Sequence, residues 1–197
     1  EEAAAGRESA MMAVLNLDRA PLQECCDAAS DLGCVVIANY NCPGQLVIGG
    51  EKAAVEKAAA LAKEKGARRC LPLKVSGPFH TPLMAPAGDA LREYFQGVAF
   101  AEPQIPVIFN CLGDVKDEGT TIQELLVKQV QSSVFMEDSI RKMADTGVDA
   151  IVEIGPGKAL SGFVKKTVPG MPVCAVETVA DVEALPETLE QLMKEKA

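Results

Sequence analysis

The chain has 197 residues, 48% of them apolar, and its 28 acidic and 19 basic side chains give a formal net charge of −9 at pH 7. This length and composition are sufficient for one compact domain, or for a domain with a subdomain. The acidic balance and an aromatic content of 4% leave neither a basic face nor a stacking platform, so we expect no binding of nucleic acid.

The sequence contains no pattern of membrane insertion or export. Its longest apolar runs, such as 35–38 and 107–109, are far shorter than the roughly 20 residues that a membrane-spanning helix needs. The first seven residues lack the apolar stretch of a secretory signal, so the expected location is cytoplasmic. The seven cysteines lack CxxC spacing and are odd in number, which favours reduced thiols in or near the core and no metal site.

Residues 9–76 are predicted to form a ferredoxin-like subdomain. Apolar residues recur at helical spacing in two segments, which end at Gly33 and Gly66, and strand-like runs lie before, between and after them. The predicted elements are strand 11–15, helix 21–32, strands 34–39 and 46–48, helix 51–65 and a strand near 70–75. This order of strand, helix, strand, strand, helix, strand is that of the split βαβ arrangement.

Residues 77–197 change to helices separated by short buried strands, the pattern of a mostly parallel sheet with helices on its faces. The predicted helices cover 82–96, 122–131, 135–146, 159–166 and 186–194, and the predicted strands cover 107–109, 150–154 and 173–176. These strands are few for a free-standing doubly wound domain, so we expect this segment to be part of a larger sheet. The expected fold class is α/β, and residues 1–8 are expected to form an N-terminal tail.

His80 is the only histidine, and it lies in the sequence SGPFHTP at 76–82. Pro78 and Pro82 restrict the backbone of this segment. A histidine held in place can transfer protons near neutral pH. A surface or capping histidine is the alternative, and from spacing alone that alternative is favoured.

Gln129 lies on the inward face of the predicted helix 122–131, four residues after Leu125. The segment TIQE at 121–124 is typical of the capping box that begins a helix. A buried amide without a hydrogen-bond partner costs roughly 1–3 kcal/mol. We therefore expect Gln129 either to orient another polar group or to lie at the edge of the core.

Two further segments contain turns. GPGK at 155–158 follows a predicted strand and precedes a helix, but it lacks the spacing and the hydroxyl of a nucleotide-binding loop, so we interpret it as a tight strand-to-helix turn. NYNCPGQ at 39–45, taken alone, is interpreted as a hairpin connection.

Together, NYNCPGQ (39–45), VSGPFHTPLM (75–84), VKQ (127–129) and EIGPGK (153–158) resemble, in sequence and in order, segments of one acyltransferase family. This family includes the malonyl-CoA:acyl carrier protein transacylases of fatty acid synthesis and the acyltransferase domains of polyketide synthases. The resemblance implies a ferredoxin-like subdomain attached to the C-terminal part of an α/β-hydrolase-like acyltransferase domain.

The resemblance also implies roles for particular residues. In the family, a serine in a GHSxG turn attacks the malonyl thioester, and a histidine that corresponds to His80 is its general base. The glutamine whose backbone carbonyl orients that imidazole corresponds to Gln129. Phe79 resembles the phenylalanine of malonyl-selective members, and Asn41 is expected among the substrate-binding residues. The implied partners are malonyl-CoA and acyl carrier protein, with no cofactor.

The chain departs from the family pattern because it contains neither GHSxG nor the PGQGSQ loop. The arginine that pairs with the malonyl carboxylate is expected just before Glu1. We therefore expect the serine to lie outside this chain, in an N-terminal remainder of the same protein, and the isolated chain to be inactive. The alternative is a non-catalytic module with the acyltransferase fold that binds carrier protein or a partner subunit.

Overall fold

A computed structural model describes residues 8–196 of the chain. Its first half contains four strands and two helices in the predicted order. They are β1 (Ser9–Leu15), α1 (Arg19–Ala29), β2 (Val35–Cys42), β3 (Gln45–Glu51), α2 (Lys52–Glu64) and β4 (Arg69–Pro72). The predicted tail at 1–8 lies outside the described residues except for Glu8.

The four strands are arranged in the order β4-β1-β3-β2, and each neighbouring pair is antiparallel. This topology confirms the predicted ferredoxin-like subdomain. Both helices pack on one face of the sheet, where Leu22, Ile48 and Val55 belong to one buried apolar cluster. The opposite face carries a smaller cluster of Met11, Ala38 and Val47.

The second half consists of short strands and helices. After a 3₁₀ turn (Pro82–Met84) come α3 (Ala85–Tyr94), β5 (Ile108–Phe109), β6 (Asp114–Val115), α4 (Ile122–Gln131), β7 (Val134–Phe135), α5 (Met136–Asp145), β8 (Ile151–Ile154), α6 (Ala159–Thr167), β9 (Val173–Val176) and α7 (Val179–Lys196). Strands β8 and β9 pair in parallel, as predicted. A third buried cluster, around Ile140, Val164 and Val173, joins α5, α6 and β9.

The predicted helix 82–96 is a 3₁₀ turn followed by the shorter α3, and β4 ends three residues before the predicted end of its strand. The largest differences concern β5 and α7. Strand β5 was predicted within a parallel sheet, but it pairs antiparallel with β6 across a turn in which Gly113 has a φ of 71°. A short apolar run does not specify its partner, so that prediction was wrong. Helix α7 begins at Val179, seven residues before its predicted start. Its first turn is fixed by Thr178 Oγ1, which accepts from the Asp181 N–H at 3.2 Å, and by the Asp181 carboxylate, which accepts from the Thr178 N–H at 2.7 Å.

The two halves share one sheet. Strand β7 pairs in parallel with β2, with Asn39 opposite Val134 and Tyr40 opposite Phe135, so the sheet extends across the predicted boundary at 76/77. The Ser133 hydroxyl donates to the Ile37 carbonyl at 2.7 Å beside this pairing. The C-terminal end of α4, which precedes β7, is thereby held against the subdomain.

Two expectations from the sequence concern the environment of the cysteines and the presence of a membrane-spanning helix. Four cysteines are buried and three are half-buried, which agrees with the predicted core and near-core positions. Within residues 8–196, no helix combines the length and the apolar character needed to cross a bilayer.

Candidate active site

The loop between β4 and the 3₁₀ turn brings His80 to the end of α4. His80 has a φ of 61°, a left-handed conformation that is uncommon for residues other than glycine. Its backbone N–H donates to the Val130 carbonyl at 3.3 Å. Thr81 is extended, with φ −128° and ψ 161°, as a residue before proline prefers. The chain therefore turns sharply at His80, and the 3₁₀ turn and α3, which follow it, pack against α4.

The imidazole of His80 is held by one hydrogen bond to the backbone. Its Nδ1 lies 2.9 Å from the carbonyl oxygen of Gln129. Since a carbonyl oxygen can only accept, this bond requires the proton on Nδ1. In the neutral ring, Nε2 then carries the lone pair and can act as a base.

The position of α4 explains why these carbonyls are available. A helix leaves its last four carbonyl groups without partners inside the helix, and α4 ends at Gln131. The carbonyls of Gln129 and Val130 belong to this set and accept from the side chain and the backbone of His80. The predicted capping box is present at the other end, where Thr121 and Glu124 exchange hydrogen bonds. It is thus the backbone of Gln129 that contacts His80, as the family resemblance implies.

His80 lines a cavity of about 340 Å³ at the junction of the two halves. The other lining residues come from β2, the 3₁₀ turn, the end of α4 and the segments around β5 and β7: Val36, Pro82, Cys111, Lys128, Gln131, Ser132, Ser133 and Phe135. Burial raises the pKa of the Cys111 thiol, so this group stays neutral in the cavity wall. None of these lining residues is a carboxylate, so His80 is oriented by a neutral carbonyl.

One wall of this cavity is braced by a cluster on β2, α1 and α5. The rings of Tyr40 and Phe135 stack with centroids 5.0 Å apart. The Arg19 guanidinium lies 4.8 Å from the Tyr40 ring and donates to both carboxylate oxygens of Asp138, at 3.0 and 2.8 Å. This arrangement keeps Phe135 in place beside the cavity.

The structure does not bring the other two predicted site residues to His80. Neither Phe79 nor Asn41 is among the described residues that line the 340 Å³ cavity. Phe79 lies in the loop before His80 and is 38% exposed. Asn41 lies in β2, one residue beyond the pairing of Tyr40 with Phe135. Their roles in substrate binding stay predictions.

Two residues at this site were missed in the sequence. Val130 holds the His80 backbone, and the fully buried Thr81 donates from its hydroxyl to the Pro78 carbonyl at 2.6 Å. The predicted end of α4 already implied free carbonyls at Gln129 and Val130. Thr81 had no comparable indication, because a threonine before proline is common in loops.

The segment 155–158 is a strand-to-helix turn, as interpreted from the sequence. Gly155 and Gly157 have φ values of 133° and 90°. The Glu153 carboxylate accepts from the backbone N–H groups of Leu160 and Ser161 at 3.0 and 2.7 Å. Hydrogen bonds from Ser161 and Leu160 hold the pKa of Glu153 below its usual range. This carboxylate therefore caps α6 and takes the place that a bound anion would need.

A second and larger cavity, of about 730 Å³, lies between β5, α4, α5, β8 and α6. Its walls are mostly apolar and include Phe109, Leu125, Val152 and Leu160. His80 is not among its described lining residues, whereas Gln129 is. Gln129 therefore lines the large apolar cavity and also contacts His80 through its carbonyl oxygen.

Comparisons with known proteins identify the family of the chain. Residues 3–194 match the model of the acyl transferase domain family. The chain is 43% identical over 191 residues to the malonyl CoA-acyl carrier protein transacylase of Bacillus subtilis (strain 168). The crystal structure of the malonyl CoA-acyl carrier protein transacylase from Clostridium perfringens ATCC 13124 matches with a TM-score of 0.92 and 39% identity over 98% of this chain. A structure of a type II polyketide synthase acyl-carrier protein in complex with its malonyl-transacylase contains a chain that matches with a TM-score of 0.89 and 35% identity over 96% of this chain.

The matches cover this chain more fully than they cover the relatives. The alignment includes 96% of this chain and 60% of the Bacillus subtilis protein, and 61% and 60% of the two structures. The chain thus spans about three-fifths of the length of the relatives it matches. The match over residues 3–194 and the shared fold show that the chain belongs to the acyl transferase domain family.

Proposed function

We propose that the complete protein transfers a malonyl group from CoA to the thiol of acyl carrier protein, and that His80 is its general base. The observation that carries this proposal is the 2.9 Å contact between His80 Nδ1 and the Gln129 carbonyl, which leaves Nε2 free to accept a proton. The names of the relatives supply the acyl group and the acceptor.

The proposed reaction has two steps of the same kind. A serine hydroxyl gives its proton to His80 Nε2 and attacks the malonyl thioester, and the C–S bond breaks as His80 returns the proton to the CoA thiolate. The carrier thiol then gives its proton to His80, attacks the acyl-serine ester, and the serine oxygen recovers the proton. Each step exchanges one acyl bond for another without a change in oxidation state, so we propose no cofactor.

The serine of this scheme is not supplied by these 197 residues, since GHSxG is absent from them. Ser132 and Ser133 line the His80 cavity, but they follow the end of α4 and do not lie in a strand-to-helix turn. The proposed nucleophile therefore belongs to polypeptide beyond this sequence. The apolar cavity of about 730 Å³ supports this view, because such a surface is normally covered.

The proposal is tested by acyl-enzyme formation. The 197-residue chain is incubated with labelled malonyl-CoA, alone and joined to a polypeptide that carries the GHSxG segment of the family. We expect label only on the joined protein, and we expect holo carrier protein to remove it. Label on the 197-residue chain alone would contradict an external serine, and a folded joined protein that stays unlabelled would contradict the transacylase assignment.

The variant His80→Asn tests the base. Asparagine tolerates the left-handed backbone at this position but lacks a basic ring nitrogen. We expect the labelling rate of the joined protein to fall by about 10²–10⁴-fold, the usual contribution of a general base. Lys194→Ala, in α7, is the control and is expected to label at the normal rate. A rate near normal in His80→Asn would exclude His80 as the base.

A further inference from the structure

Thr81 is the most completely buried polar side chain of the His80 loop. It is 0% exposed, and its hydroxyl donates to the Pro78 carbonyl at 2.6 Å. Its own carbonyl accepts from the Met84 N–H at 3.0 Å, which begins the 3₁₀ turn. Thr81 therefore closes the turn that contains Phe79 and His80 and also starts the element that follows.

The methyl group of Thr81 has a separate contact. A Cβ atom placed on Gly49 of β3 would lie 3.1 Å from Thr81 Cγ2 and 3.4 Å from both Ala38 Cβ and Met11 Cε. Met11 and Ala38 belong to the sheet face opposite α1 and α2. The absence of a side chain at Gly49 thus leaves room for the Thr81 methyl group on this face. The two branches of one side chain join the His80 loop to itself and to the subdomain.

The contacts of Thr81 matter because the backbone of His80 has an uncommon conformation. A residue other than glycine keeps a φ of 61° only where its surroundings hold it there. On one side of His80 the loop is held by Val130 and Gln129 of α4, through the backbone N–H and the ring Nδ1. On the other side it is held by the hydroxyl of Thr81. Without that hydroxyl, the Pro78–Thr81 turn would lose the bond that closes it.

We infer that Thr81 is a positioning residue, whose hydroxyl fixes the backbone of His80 so that Nδ1 stays on the Gln129 carbonyl and Nε2 stays the basic nitrogen. The inference rests on the proposed role of His80 as the general base. Thr81 contacts neither substrate nor reacting atoms in this account and acts only through His80.

The experiment uses nuclear magnetic resonance of the 197-residue chain, in which His80 is the only histidine. The ¹⁵N shifts of one ring then report which nitrogen carries the proton, without any need for activity. Thr81→Val keeps both branches of the side chain but removes the donor, whereas Thr81→Ser keeps the donor and removes the methyl group. In the unchanged chain and in Thr81→Ser we expect the proton on Nδ1. In Thr81→Val we expect the ratio of the Nδ1–H to the Nε2–H tautomer to fall about fivefold, as for loss of one neutral hydrogen bond.

The outcomes separate the inference from the proposed function. A proton on Nε2 in the unchanged chain would contradict the proposed orientation of His80 itself. A proton on Nδ1 in the unchanged chain, with the same tautomer ratio in Thr81→Val, would overturn the role of Thr81 alone. The amide spectrum of β1–β4 shows whether Thr81→Val folds. If it does not, Thr81→Ser decides, because a tautomer ratio that changes although the hydroxyl is kept would also overturn the inference.

Discussion

Cys26 lies on the buried face of α1 and is 1% exposed. Burial raises the pKa of its thiol to about 12, and the neighbouring Cys25 and Asp27 act in the same direction. A thiolate at this position would lose its hydration among apolar side chains, so the folded state keeps the thiol protonated. In the unfolded chain, an ordinary thiol ionises near pH 8.5, or about 3 to 4 pH units lower.

The free energy of unfolding is expected to fall as the pH rises above about 8.5, because the unfolded state then binds fewer protons than the folded state. Cys26 contributes a slope of up to about 1.4 kcal/mol per pH unit between its two pKa values. Cys26→Ala removes this contribution to the pH dependence of the free energy of unfolding. The substitution also leaves a small cavity, which lowers the free energy of unfolding at pH 7 by about 1 kcal/mol. Urea unfolding at pH 7, 8, 9 and 10 should therefore show Cys26→Ala less stable than the unchanged chain at pH 7, about equally stable near pH 9 and more stable by about 1 kcal/mol at pH 10.

The half-buried Cys174 supplies a matched control for this measurement. Cys174→Ala should alter the pH dependence less than Cys26→Ala does, because Cys174 lies in β9 outside the cluster that encloses Cys26. Stability differences that stay constant from pH 7 to pH 10 in Cys26→Ala would show that Cys26 ionises equally in both states.

At the scale of elements, α1 and α5 are joined by ion pairs between the two halves. Arg19 makes a two-pronged contact with Asp138 and also lies 3.0 Å from Glu137. Arg141 pairs with the same Glu137 at 2.8 Å, so the buried carboxylate has two cationic partners. The planar fork of arginine suits this geometry better than a lysine ammonium group would.

A double-mutant cycle with Arg19→Gln and Asp138→Asn should give a coupling of about 0.5–1 kcal/mol, since the pair is partly exposed but has two hydrogen bonds. The unfolding free energies of the chain and its three variants supply this number. Lys57 and Asp31, a more exposed pair within the subdomain, should couple less strongly. Additive effects at Arg19 and Asp138 would mean that their contact does not stabilise the junction.

The elements also show what the sequence could and could not predict. The bounds of α4 and β9 were predicted to the residue, because local patterns such as the capping box at Thr121 determine them. The capping box that begins α7 was equally local, at Thr178 and Asp181, and was overlooked. Strand β7 could not be found, because two residues carry no periodicity and the partner strand β2 is about a hundred residues away. The left-handed conformation of His80 could not be predicted for the same reason, because it depends on a contact with Gln129 of α4, 49 residues further along the chain.

In the whole molecule, the apolar cluster of the subdomain and the 730 Å³ cavity beside β8 differ in how completely they are enclosed. In the cluster between the sheet and helices α1 and α2, Leu22 and Ile48 are each 0% exposed. The cavity beside β8 instead opens to the surface, and its lining residues Val107 and Leu160 are 38% and 42% exposed. Exposed apolar surfaces of this kind commonly mark interaction sites, which is consistent with the proposed cover by further polypeptide.

The open cavity predicts that the 197-residue chain binds an apolar fluorescent dye under native conditions. Leu160→Gln should weaken dye binding several-fold, because it places an amide in the cavity wall, and should change stability by less than about 1 kcal/mol since the side chain is partly exposed. Val179→Gln, at a position that is 75% exposed and does not line this cavity, is the control and should bind the dye normally. When the chain is joined to the remainder of the family domain, dye binding should disappear because the added polypeptide covers Leu160 and the cavity. Equal dye binding by the joined protein and the 197-residue chain would show that the part of the relatives that this chain does not match does not cover this cavity.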